Sequence, residues 1–178
     1  MEFKLGGKEK NFIMIRVIDR LPKDQWHYYD DLSAEAIVDS DGYHATEQNN
    51  IESISLPEFL KGLKKLYEQP GYKVGFLTHH GWLYFELRGD IAGHIVIAGH
   101  IADQMFTQKL EFEFEIDQSY LPPAIEQLEQ IIATYPFDED SFTETYERDK
   151  RLGINYGPPP HKRKGCLLAL LNFLTRAR

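Results

Sequence analysis

A chain of 178 residues, 42% hydrophobic and 27% charged, has room for one domain with a substantial core, and its composition excludes wholesale disorder. A single cysteine excludes an internal disulfide and a cysteine-rich zinc site. The net charge of −8 is unevenly spread: Lys150 to Arg178 holds seven basic residues and no acidic one, leaving 13 basic against 28 acidic residues before it, a net of −15. A body that acidic repels nucleic acid and attracts basic proteins.

The opening residues MEFKLGGKEKNF carry charge throughout and no apolar run, so no signal peptide is expected. No stretch reaches the roughly 18–20 apolar residues of a membrane span, and a cytoplasmic protein is expected. Phe3 to Leu5 and Phe12 to Asp19 are β-rich runs around the turn-like GGKEKN. Leu21 to Tyr29 is irregular and aromatic. Leu32 to Asp39 alternates as a strand, Asp41-Gly42 marks a turn, and His44 to Glu52 returns as its partner.

A helix follows. Ser55 and Glu58 have the spacing of a capping box, with Pro57 in the first turn. Leu56, Phe59, Leu60, Leu63, Leu66 and Tyr67 form one apolar stripe, which Pro70-Gly71 ends.

Three strand-like runs come next: Tyr72 to Thr78, Trp82 to Arg88 and His94 to Ala102. In the second, alternation puts Leu83, Phe85 and Leu87 on one face, and Trp82, Tyr84, Glu86 and Arg88 on the other. Lys109 to Asp117 alternates most cleanly, with Leu110, Phe112, Phe114 and Ile116 inward and Glu111, Glu113, Glu115 and Asp117 outward. The short turns favour an antiparallel meander.

Tyr120 to Tyr135 predicts a second helix, with Ser119 as cap, Pro122 and Pro123 in its first turn, and Leu121, Ile125, Leu128, Ile132 and Tyr135 as its stripe. The expected fold class is α+β: an antiparallel sheet of about six to eight strands with two packed amphipathic helices. It spans residues 1–137, and residues 138–178 form a polar, then basic, extension. Within that extension GPPP is a stiff break, and Cys166 to Leu174 suits a short amphipathic helix. The basic tail suits an anionic membrane surface, but docking on protein is favoured, either on the acidic body or on a second copy, the latter giving a homodimer through the tail.

The carboxylates at alternate positions of Lys109–Asp117 lie about 7 Å apart, a separation that catalytic pairs also use. A catalytic pair needs two different environments, whereas one exposed strand face supplies the same environment repeatedly. The row reads as a solvated face or a surface for a basic partner. His94 and His100 share a face but stand about 20 Å apart, so they cannot share a metal without a bend. A mixed site of His79 or His80 with His94 and a glutamate is the metal alternative. Cys166 has no local base, and neither a GxSxG motif, a P-loop nor a GxGxxG motif occurs. No catalytic residue, metal ligand or cofactor is assigned. The candidate partner-binding residues are Trp26, Tyr28, Tyr29, Asp30, Asp31, Glu111, Glu113 and Glu115, which join aromatic anchors to acids.

Taken in order, several features resemble the WapI-like bacterial immunity proteins and related domains of unknown function. They are the early hairpin, the loop WHYYDDLSAEAIV, the helix LPEFLKGLKKLYE, Gly81-Trp82-Leu83, Gly93-His94-Ile95, and the junction Asp117-Gln118-Ser119-Tyr120-Leu121-Pro122. The resemblance covers residues 1 to about 137, and the tail from Phe137 departs from it. It implies a non-enzymatic protein that binds and neutralises a toxin domain delivered by a neighbouring cell. It supplies no residue map, so the candidate residues above rest on charge and exposure. The alternatives are a small metal-binding or carboxylate-dependent enzyme and a structural, self-associating subunit.

Overall fold

The computed structural model describes residues 1–22, 31–78, 80–138 and 151. Met1–Phe137 makes one unit and Asp138–Arg178 another. The GPPP break, the run Cys166 to Leu174 and the basic tail lie outside the described residues.

The first half is a meander of β1 (Glu2–Gly6), β2 (Phe12–Arg20), β3 (Asp31–Ser40) and β4 (Tyr43–Glu52), each strand pairing antiparallel with the next. Asp41 and Gly42 both take positive φ, 50° and 89°, as a two-residue turn that follows the strand twist requires. Helix α1 (Ser55–Glu68) then leads to a second meander of β5 (Lys73–Leu77), β6 (Leu83–Gly89), β7 (His94–Ala102) and β8 (Lys109–Asp117). A 3-10 turn (Gln118–Tyr120) and helix α2 (Leu121–Thr134) finish the unit.

The strands therefore form two four-stranded sheets, not the single sheet that the strand count suggests. Helix α1 carries the chain away from β4, and β5 starts a new ladder with β6. Alternation reveals which face of a strand is buried but carries no information about which strands share a ladder.

One apolar cluster joins both sheets and both helices. Phe59 of α1 is its junction. Its ring centroid lies 6.0 Å from Phe3 of β1, 5.2 Å from Phe76 of β5 and 5.4 Å from Phe85 of β6. Leu56, Phe59, Leu63 and Leu66 are the buried stripe of α1, while Tyr67 is exposed. Gly62 lets α1 approach β5, since a Cβ there would sit 2.2 Å from a Val74 methyl. The predicted capping box is not made: Ile54 takes the cap position without a side-chain bond, and Ser55 Oγ instead donates to Glu52 Oε2 at 3.2 Å. Ser55 is itself the first helical residue, which places its hydroxyl one position too late to cap.

Helix α2 carries its prolines in the first turn and buries Leu121, Ala124, Leu128 and Ile131. The side chain that launches this segment is Asp117, which accepts from Ser119 N–H at 2.8 Å; Ser119, the predicted cap, is the donor. Gln127 Oε1 accepts the Lys4 N–H at 3.0 Å, so α2 shields part of the free edge of β1. Trp82 reverses its predicted direction. It precedes β6, is fully buried, and donates from Nε1 to Asn50 O at 3.0 Å, which ties the second sheet to β4.

Gly99 pairs with Phe85 on one side and Phe112 on the other. A Cβ there would lie 2.1 Å from Tyr84 O and 2.6 Å from Phe85 Cα, backbone atoms that cannot rotate away. Gly99→Ala is therefore expected to lower the unfolding free energy by at least the roughly 1–3 kcal/mol of core overpacking, measurable by urea denaturation.

Candidate partner-binding surface

Along β8, Phe112, Phe114 and Ile116 are buried, and Glu111, Glu113, Glu115 and Asp117 are exposed, as the alternation predicts. The register sets each acid in a cross-strand row. Glu111 adjoins His100 and then Tyr84; Glu113 adjoins Ala98 and then Glu86; Glu115 adjoins Val96 and then Arg88; Asp117 adjoins His94. Some of this charge is internally matched, because Arg88 Nε pairs with Glu86 and Lys109 Nζ with Glu111 Oε1 at 2.9 Å. Glu113 and Glu115 make no ion pair within the described residues and carry the acidic character of the row.

The first sheet reaches β8 through a hydrogen bond. Ser40 Oγ donates to Glu113 O at 3.3 Å. Ser40 pairs across the hairpin with Tyr43, which is 69% exposed, so the end of the β3–β4 hairpin lies near the backbone of β8 at Glu113. The hairpin is held from the β1–β2 turn: Asn11 Nδ2 donates to Asp41 Oδ1 at 3.1 Å, Asp41 N–H to Asn11 Oδ1 at 2.8 Å, and Asn11 N–H to Asp39 Oδ1 at 3.1 Å. Tyr43 is thus a candidate contact residue absent from the predicted set. Composition marks it as an aromatic near acids, but its place beside β8 depends on how the sheets meet.

The other predicted residues are not gathered here. Asp31 is half-buried at the far end of β3, roughly 30 Å along the strand from Ser40. Trp26, Tyr28, Tyr29 and Asp30 lie outside the described residues.

His94 and His100 are engaged by protein groups. Partial burial lowers the pKa of His100, whose Nε2 lies 2.9 Å from Gly81 O. His94 Nδ1 lies 3.2 Å from Asp90 Oδ2. That hydrogen bond and the charge of Asp90, with smaller help from Glu115 and Asp117, raise the pKa of His94. A raised folded-state pKa means that this pairing stabilises the fold at pH below the unfolded value of about 6.5 and is lost as pH rises through the folded value. NMR titration is expected to place His94 above an ordinary histidine, and Asp90→Asn to bring it down. No group of three metal-ligating side chains occurs among the described residues, and His79 lies outside them. No described helix is long and apolar enough to cross a membrane.

The family described as immunity protein WapI-like matches the chain over residues 4–136. No curated protein and no solved structure matches the chain.

Proposed function

The chain belongs to the immunity protein WapI-like family, and on that basis we propose that it is a non-enzymatic binding protein that neutralises a cognate toxin domain by covering it. Family membership carries the proposal. The surface of β8 supports a partner of a particular kind: Glu113 and Glu115 stand exposed on one face, with Tyr43 nearby, and a basic protein domain complements them. Opposite charges of this kind speed encounter and select the right partner more than they add raw affinity. Tyrosine is among the residues enriched at interface hot spots. The toxin would meet the chain in the cytoplasm, and no cofactor is required.

A carboxylate-dependent enzyme is the weaker reading, because Glu113 and Glu115, without an ion pair among the described residues, share one exposed strand face and therefore one environment.

Affinity purification of the tagged chain from its host at low salt tests the proposal. The expected result is recovery of a basic toxin domain in equal amount, released as salt is raised. Recovery of no toxin domain would count against immunity, and release unaffected by salt would remove the electrostatic part.

A further inference from the structure

The β7–β8 hairpin ends in an unusual tip. Met105 is 79% exposed and Phe106, beside it, 52%. Phe106 adopts φ +54°, a left-handed conformation that a side-chain-bearing residue takes only when its surroundings impose it. Asp103 imposes it here. Its Oδ1 accepts from Thr107 N–H at 2.7 Å and Gln108 N–H at 3.1 Å, its Oδ2 accepts from the Thr107 hydroxyl, and its carbonyl accepts from Phe106 N–H at 3.0 Å. Asp103 N–H donates in turn to Gln108 O at 3.1 Å. A loop needed only to reverse the chain would hold glycine or asparagine at the left-handed position. This one holds a phenylalanine in water and fixes its backbone, so little freedom remains to be lost on binding.

We propose that the β7–β8 tip is the apolar anchor of the toxin interface, with Phe106 and Met105 entering an apolar pocket on the partner. The inference rests on the immunity reading. It goes further by placing the hot spot at a position other than the acid row. β8 starts three residues beyond Phe106 and carries Glu113 and Glu115 on its exposed face, roughly 13 and 20 Å along the strand from Lys109, so a partner broad enough to cover both offers an apolar pocket to the tip and a basic area beside that pocket to the acids. Those acids disfavour an anionic lipid surface as the occupant.

The test compares the wild-type chain with Phe106→Gly and Ile91→Ser, using titration calorimetry against the toxin domain recovered with the wild-type chain. Ile91 is 93% exposed in the turn at the opposite end of the sheet. Phe106→Gly is expected to weaken binding by about thirtyfold or more, as loss of a hot-spot aromatic does. Its melting temperature should equal or exceed that of wild type, because glycine relieves the left-handed backbone. Ile91→Ser should bind within about twofold of wild type, as a position outside the hot spot does. Wild-type affinity in Phe106→Gly overturns the anchor and leaves the immunity reading standing. So does Phe106-dependent binding to anionic vesicles with toxin affinity unchanged. A wild-type chain that recovers no toxin domain counts against the immunity reading, before any variant is compared.

Discussion

Phe59→Ala is expected to lower the unfolding free energy by about 3–5 kcal/mol, as loss of a buried phenylalanine does. Phe59 is 2% exposed and touches aromatic rings from three strands that belong to two different sheets. No single sheet can close the resulting cavity, because the ring fills the space where both sheets and α1 converge. Against a typical total of about 5–15 kcal/mol, the loss is a large fraction of the stability. Chemical denaturation followed by circular dichroism checks it. Both sheets should lose structure in one transition at lower denaturant, and Phe59→Leu should recover part of the loss. A variant within about 1 kcal/mol of wild type would show that the two sheets do not depend on a shared core.

Reversing Glu113 and Glu115 to lysine is expected to slow association with the toxin domain by about 10- to 1000-fold at low salt, the range over which electrostatic steering acts. Both side chains are exposed and make no ion pair within the described residues, and they act on their neighbours Arg88 and His94 through charge alone. The melting temperature should hardly change. The loss should shrink as ionic strength rises, because exposed charges are screened within about 10 Å at moderate salt. Stopped-flow association rates at two salt concentrations measure this. An unchanged rate would place the basic partner on another face.

The local chemistry of most elements can be read from the residues. The period of two in Lys109–Asp117 predicts which of its side chains are buried and which exposed, and the register then gives the outward acids their neighbours. The stripe Leu56, Phe59, Leu63 and Leu66 and the paired prolines at Pro122 and Pro123 place both helices. What escapes local pattern is whatever depends on distant partners. Trp82 lies just outside the alternation of β6 and turns inward to Asn50, thirty-two positions away in the chain. The division into two sheets arises because β5 pairs with β6 and not with β4. Tyr43 comes to β8 only through the approach of Ser40 to Glu113. The tip of the β7–β8 hairpin shows the same limit: Met105-Phe106 reads as two more apolar residues until the Asp103 bonds and the positive φ are seen.

A chain that cancels the activity of a toxin domain by binding it must protect cells that make that toxin. The most direct measurement is the growth of cells that produce the partner toxin domain, with and without this chain. The wild-type chain is expected to restore growth, and the Glu113 and Glu115 reversal to restore less of it at equal protein level. Growth that stays arrested in the presence of the folded wild-type chain would contradict the account.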